Sequence, residues 1–570
     1  MTRLPLFLAA STLLAGCATT TQAPLTDFTA NSGSPRAPEQ LAVTFETVDL
    51  ALRVDPATQS ISGDAALTFL LNAPLTRIAV ELDRNLPVDS ASVDGVALAP
   101  SAISNPDGRL YLTLPAPLPA GARTTVRIRY HGIPHVAKHA PWDGAFMWSK
   151  TADGQPWITT TVEGEGCDMF WPCIDHPMGK PKLIDLHISV PSPLVVAGNG
   201  IALGMDEKDG WRTYNWRAKN PSTYGVALNI GPYEMLSGDY ASQYGNTIPL
   251  RMWYLKGHDK EAQGLFSEFA PMLAFFENRI GPYPFGDEKM GVVETPHLGM
   301  EHQTINAYGN GYAKSPYGYD WLLHHELSHE WFGNQMTNAD WDDMWLHEGF
   351  GSYMQPLYLE DLRGEMEFHA ELFNQRKALR NKVPVVSGKS MRIEDVYEDE
   401  RGGPGNDIYV KGSLILHTLR NLIGDDAFFR ATRRMVYGTD TPAPGNFQPR
   451  WSSTKEFIGI TNEITGRDLG WFFDAYLYHA ALPQLIEERS GNQLKLSWKL
   501  KDGGAFPMPL EVRINNRLEK LPMTDGHGEL SLPANAVYTI DPQSRVLRQE
   551  DHIDEWKRGE DARKKKAKAS

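Results

Sequence analysis

The stretch Asp320-Trp321-Leu322-Leu323-His324-His325-Glu326-Leu327-Ser328-His329-Glu330-Trp331-Phe332-Gly333-Asn334 carries a His-Glu-x-x-His core inside an apolar helical pattern. Residues four apart share one face of an α-helix, so His325 and His329 can turn two imidazole nitrogens toward one metal ion. Glu326 then sits about 100° around the helix, beside an open coordination position. Two imidazoles do not complete a catalytic zinc site, which takes three protein ligands and leaves the fourth position to water. Eighteen residues separate His329 from Glu348, in Trp345-Leu346-His347-Glu348-Gly349-Phe350, and Glu348 is the candidate third ligand. His324 and Glu330 point away from the metal face and read as surface or packing residues.

Outward from this motif, the bulk properties set limits. A chain of 570 residues is too long for one core and implies about three or four domains. Its 41% apolar content describes a soluble globular body, and a net charge of −15 argues against a nucleic-acid partner.

The N-terminus opens with Met1-Thr2-Arg3 and continues as the apolar run Leu4 to Leu14, the build of a secretory signal too short to span a bilayer permanently. It ends in Leu14-Ala15-Gly16-Cys17, which resembles the lipobox of bacterial lipoproteins. That resemblance implies cleavage after residue 16 and lipidation of Cys17. It further implies attachment to the periplasmic side of a membrane, with Ala18 favouring the outer one. Only Cys167 and Cys173 remain beyond Cys17, and their spacing leaves open whether they pair or stay as two thiols.

Residues 17–40, rich in Thr, Pro, Ser and Ala, read as a lipidated Cys and a flexible tether. From 41 to 235 the apolar residues alternate with polar ones, as in Leu50, Leu52 and Val54 or Val126, Ile128 and Tyr130. The period of two predicts an all-β domain, a sandwich or a large saddle-like sheet. A Gly-, Pro- and carboxylate-rich loop, Thr160 to Pro177, interrupts it and is a place where functional groups are displayed. Residues 236–482 turn mainly helical, with one short strand, Val292 to Thr295, before the His-Glu-x-x-His helix; that order predicts a thermolysin-like catalytic domain. Alternation returns at 483–550, a small β-sandwich, and 551–570 reads as a basic disordered tail. The fold class is thus multidomain α+β. No large C-terminal helical domain is expected, and with it a more open cleft.

Together these motifs resemble the M1 family of zinc aminopeptidases. His325, Glu326, His329 and Glu348 fill the family's HExxH-x18-E pattern, and Trp331-Phe332-Gly333-Asn334 resembles its W-x-G-N. Leu298-Gly299-Met300-Glu301-His302 resembles the family's exopeptidase motif G-x-M-E-N, departing at Leu298 and His302. The resemblance implies one zinc ion per chain, Glu326 as general base and Tyr409, of Tyr409-Val410-Lys411-Gly412, as donor to the tetrahedral intermediate. It implies that Glu301 holds a peptide's free α-amine while the Gly299–Met300 backbone pairs with substrate. Glu163 aligns with the family's second amine-binding carboxylate, although Thr161 stands where the family has Gln. The implied activity is removal of N-terminal residues from peptides. A thermolysin-like endopeptidase and an inactive peptide-binding surface lipoprotein are the alternatives. A leukotriene-type epoxide hydrolase is disfavoured, because Arg401 occupies the place of its aspartate.

Overall fold

The computed structural model describes residues 24–445 and 447–569. The leader and Cys17, with the readings attached to them, lie outside the described residues. Residues 24–40, expected to be part of a flexible tether, are instead packed on the body: Thr29, Asn31, Ser32 and Gln40 are buried, Ser32 N donates to Gly164 O at 2.8 Å, and Gln40 Nε2 donates to Glu81 Oε1 at 2.7 Å, polar contacts that leave no hydrophobic period in the sequence.

Alternation of apolar residues builds the N-terminal region. Strands β1 (Val43–Asp55), β2 (Ser60–Leu71), β3 (Arg123–Gly132), β4 (Leu183–Pro191) and β5 (Trp211–Lys219) form the centre of an eight-stranded sheet. Within it β1 pairs antiparallel with β2 and parallel with β4, in the register Leu50↔Ala65 and Leu50↔Leu186. Leu50, Leu52 and Val54 are buried while their neighbours Ala51 and Arg53 are exposed, because successive side chains of a strand leave opposite faces. A separate four-stranded sheet contains Pro156–Thr161, and the carboxylate-rich loop leaves directly from the end of that strand. Cys167 and Cys173 form a disulfide within the loop, closing the alternative that the sequence left open. Cys173 also exchanges backbone hydrogen bonds with Glu81 of a neighbouring strand, so the loop is fastened to the β scaffold at its far end.

The region expected to be catalytic rests on a five-stranded mixed sheet rather than beginning with helices. Strands β6 (Tyr233–Ala241) and β7 (Thr247–Leu255) precede β8 (Met290–Glu294), β9 (Gly299–Met300) and β10 (Asn306–Tyr308), in the spatial order β6-β7-β8-β10-β9. The sequence pattern hides β7 because Met252, Trp253, Tyr254 and Leu255 are buried consecutively, so no alternation survives. Helix α1 (Phe269–Arg279) meets α2 (Trp321–Ser328) and α3 (Trp345–Arg363) through the rings of Phe276 and Phe275; α2 packs on β9 and β10 of this sheet, α3 packs on α2, and α4 (Glu365–Ala378) and α5 (Val410–Ile423) pack on α3. Two three-stranded antiparallel sheets follow, with Leu494, Leu496, Trp498, Leu510 and Val512 buried.

Residues 551–570, expected to be a disordered tail, differ from that expectation: Asp551–Ala569 form a helix, α6. Its start is fastened by Ile553, which is buried, and by Lys557, whose Nζ donates to Leu379 O at 2.8 Å. Just before it, Arg376 and Glu550 form a buried ion pair at 3.0 Å. With so few apolar side chains in the run, the anchoring contacts left no periodic signal in the sequence. Among the described residues, no helix is long and apolar enough to cross a membrane.

Candidate active site

The metal motif begins with a capped helix. Asp320 caps α2 by accepting from Leu323 N at 3.0 Å, and its other carboxylate oxygen accepts from Tyr308 OH of β10, which docks the helix start on the sheet. Helical geometry ends at His329, whose N–H reaches the Glu326 carbonyl, and the chain turns through Gly333, where φ is +151°. The ring of His329 is held in this turn by a 2.9 Å hydrogen bond from Nδ1 to Phe332 O, which leaves Nε2 as the ligating nitrogen.

Nε2 of His329 lies 3.2 Å from Nε2 of His325, and Glu348 Oε2 lies 3.4 Å and 3.5 Å from the two nitrogens. Metal–ligand bonds of about 2.0–2.2 Å in a tetrahedron place neighbouring donor atoms roughly 3.3–3.6 Å apart. The three observed separations therefore fit one zinc ion. Glu348 Oε2 is moreover buried and accepts no hydrogen bond, which is the state of a carboxylate oxygen reserved for a cation. Glu348 comes from the first turn of α3, and α3 packs directly on α2, so two helices bring the three ligands together.

Glu326 lies on the other side of this set, within 4.8 Å of His329 and Glu301 as measured between ligand atoms. Burial, and then the neighbouring carboxylates Glu301 and Glu348, push its pKa well above the ordinary carboxylate range, against the pull of His329. Gly299 explains the closeness of β9 to this group. A Cβ at position 299 would lie 2.3 Å from Glu326 Oε1 and 2.6 Å from Leu322 Cδ1. β9 pairs antiparallel with β10 through Gly299↔Tyr308 and Met300↔Ala307 and is the edge of its sheet, which suits addition of a peptide strand.

Glu301 and Glu163 both line the same cleft and are both buried, at 4% and 7% exposure, although they come from different regions of the chain. Tyr224 OH donates to Glu301 Oε1 at 2.9 Å, and Asn334 Nδ2 donates to the Glu301 carbonyl at 3.0 Å. Burial and the charges of Glu301 and Glu348 push the pKa of Glu163 well up. Such a pair of carboxylates is relieved by an arriving cation. Tyr409, at the N-terminus of α5, completes the arrangement, with its ring 6.1 Å from that of His325. The cleft has a volume of about 360 Å³, and every residue that the sequence assigned to catalysis, metal or substrate lines it. Of the two departures, Leu298 lines the cleft, whereas His302 is fully buried and kept neutral, its pKa pushed down to about 3 by burial.

Several residues were not legible in the sequence. Tyr397 OH lies 3.2 Å from both Glu163 Oε1 and Glu348 Oε1. Trp142 and Trp321 line the cleft with 66% and 37% of their surface exposed. Glu330 is fully buried and accepts from Thr304 N at 2.8 Å and Asn334 Nδ2 at 3.1 Å, tying the end of the metal motif to the segment that carries Glu301. Lys180, from the N-terminal region, donates to Asn334 O at 2.6 Å and fixes the same turn. His324 packs instead among Phe276 and Tyr358, with ring separations of 4.9 Å and 4.6 Å.

Comparison with known proteins agrees with this geometry. Residues 45–224 match the family model described as the peptidase M1 N-terminal domain, and residues 317–476 match that of the peptidase family M1 domain. The chain is 25% identical over 497 residues to aminopeptidase M1-D of Oryza sativa subsp. japonica, covering 82% of this chain and 54% of that protein. It is 28% identical over 344 residues to leucine aminopeptidase 2 of Aspergillus niger, covering 58% and 53%. The chain thus spans about half the length of these curated relatives. Among solved structures it resembles an M1 zinc metallopeptidase mutant from Deinococcus radiodurans bound to a Tyr-Ser-Ala substrate. That match has 26% identity and a TM-score of 0.67, and it covers 80% of this chain and 98% of the other.

Proposed function

The chain belongs to peptidase family M1, and from that premise we propose that it is a zinc-dependent aminopeptidase acting on short peptides with a free N-terminus. The observation that carries this reading is the convergence of Glu163 and Glu301 in the cleft that holds His325, His329, Glu348 and Glu326. Two buried carboxylates beside a metal site select a protonated amine, and the distance from them to the metal ligands fixes which peptide bond is presented. His325, His329 and Glu348 would hold the zinc ion, which would supply polarisation of the scissile carbonyl and acidification of the attacking water. Glu326 takes the proton from that water and delivers it to the leaving amine, a task suited to a carboxylate whose pKa burial raises well above the ordinary carboxylate range. Tyr409 donates to the oxyanion as it forms, and the edge of β9 aligns the substrate backbone. The Tyr-Ser-Ala substrate of the Deinococcus relative supports short peptides as the substrate class.

The test is hydrolysis of aminoacyl-anilides by zinc-loaded protein, compared with the same anilides acetylated at the amine. Turnover of the free-amine series alone supports the reading, and equal turnover of both removes it. We also propose that Cys17 is the first residue of a mature lipoprotein held on the periplasmic side of a bacterial membrane, the outer one by virtue of Ala18. The lipobox-like Leu14-Ala15-Gly16-Cys17 is what supports this. Metabolic labelling with a radioactive fatty acid tests it: label is incorporated in the parent and lost in Cys17→Ser. Label retained in that variant contradicts the assignment.

A further inference from the structure

On a face outside the catalytic cleft, exposed apolar side chains and cations are interleaved. Along α4, Met366, Phe373 and Lys377 stand at i, i+7 and i+11 and so share one stripe of the helix. Met366 is 77% exposed and Phe373 45%. Lys377 Nζ lies 5.1 Å from the Phe373 ring and 5.4 Å from that of Trp556, which carries the stripe across to α6. Trp556 is itself 44% exposed, and Leu362 at the end of α3 is 43% exposed.

Between α4 and α6 runs a groove of about 780 Å³ whose lining, among the described residues, includes Lys377, Arg380, Lys382, Lys557 and Lys564 together with the carboxylate of Glu560. This concentration of positive charge belongs to a chain whose net charge is −15, and the sequence continues from it into Lys565, Lys566 and Lys568. Lys557 donates its ammonium to the Leu379 carbonyl at 2.8 Å, with the carboxylates of Asp554 and Asp407 acting on its charge.

Aromatic rings flanked by lysines, with apolar side chains between them, match the depth profile of a membrane interface. Rings occupy the headgroup level there, apolar tips reach the acyl boundary, and long cationic side chains extend to phosphate. We propose that the α4–α6 face docks on an anionic phospholipid surface, with the groove taking lipid phosphates and Phe373 and Trp556 entering the interface. The docking is independent of the peptidase chemistry and adds a second attachment to any lipid on Cys17.

The test uses the full chain with Cys17→Ser, which removes the acylation acceptor, sedimented with phosphatidylcholine vesicles that contain or lack phosphatidylglycerol. Binding is expected to the anionic vesicles alone and to be reversed by high salt. Combining Lys377→Glu, Lys382→Glu and Lys564→Glu is expected to weaken it about 100-fold, at about five-fold for each cation removed. Combining Phe373→Ala and Trp556→Ala is expected to weaken it about ten-fold while salt sensitivity persists. Anilide hydrolysis at the parent rate reports that each variant is folded. The proposal is overturned by absence of binding to anionic vesicles, or by binding that the charge reversals leave intact. It is equally overturned if loss of the two rings has no effect, which assigns attraction to the basic run alone. Self-association abolished by Trp556→Ala without vesicle binding also overturns it, in favour of a second copy as the occupant.

Discussion

Tyr397 places its hydroxyl 3.2 Å from Oε1 of Glu348, while the other carboxylate oxygen, Oε2, is the one set against His325 and His329. The same hydroxyl lies 3.2 Å from Glu163 Oε1, so one phenol joins Glu348 of the metal set to the carboxylate proposed to select the amine. Loss of a hydrogen bond that orients a metal ligand typically costs 10- to 100-fold in metal affinity. Tyr397→Phe is therefore expected to weaken zinc binding by about that factor in competition with a chelator. It is also expected to raise KM for aminoacyl-anilides when zinc is saturating. A variant with parental zinc affinity and parental KM would show that the contact orients neither group.

Gly299 is required by the approach of Glu326, since an added Cβ falls 2.3 Å from Oε1 of that carboxylate. Gly299→Ala must displace either the base or the strand edge. A displacement of about 1 Å at a reacting group costs on the order of 10²-fold, and kcat/KM is expected to fall by that amount. Zinc content, measured by atomic emission, is expected to stay at one ion per chain because no ligand is touched.

Glu301→Gln keeps an oxygen to accept from Tyr224 but removes the charge that faces the substrate amine. Hydrogen bonds to charged groups contribute about 1.5–3 kcal/mol, so kcat/KM for free-amine anilides is expected to drop roughly 10- to 100-fold. Steady-state kinetics on free and acetylated substrates gives the readout. The preference for the free amine shrinks if Glu301 reads it and is unchanged if it does not.

Glu165 gives a pH dependence away from the metal. Burial, with smaller contributions from Asp143 and Glu394, pushes its pKa up to about 8 from the ordinary 4.5. Below about pH 4.5 the group is neutral in both folded and unfolded chains and costs nothing. Between pH 4.5 and 8 the unfolded chain ionises while the folded one holds its proton, so stability is lost as pH rises. Glu165→Gln is expected to raise the thermal midpoint relative to the parent at pH 8–9, by an amount on the order of 2 kcal/mol in stability, and to leave it unchanged near pH 4. An equal shift at both pH values would contradict this origin.

The parts of the molecule written in short, regular spacings are legible in the amino-acid sequence alone. The i, i+4 histidines with Glu348 mark the metal set, and the alternation through Leu50, Leu52 and Val54 marks the sheet that bears the Glu163 loop. What escapes such a reading is set by tertiary contact. Tyr397 lies beside the Gly- and charge-rich stretch that follows it, where no period marks a functional side chain, and its role arises from two carboxylates far away in sequence. β7 escapes because both of its faces are covered at its end. Glu330 reads as packing or surface from its helix position, yet the chain leaves helical geometry at His329 and turns Glu330 into the interior, where it holds the Thr304 and Asn334 donors. The helix at the C-terminus depends on Ile553 and on the Lys557–Leu379 contact, neither of which a compositional reading detects.

The most direct measurement of the central claim is the hydrolysis of one peptide, with its N-terminus free or acetylated, by zinc-loaded parent and by Glu326→Ala carrying the same zinc. Glu326, the proposed base, is buried beside the His325–His329–Glu348 set and is not one of its three members. The account predicts release of the first residue from the free peptide by the parent, no cleavage of the acetylated peptide, and no turnover by Glu326→Ala. Cleavage of the acetylated peptide at an internal bond, or equal turnover by Glu326→Ala, would contradict it.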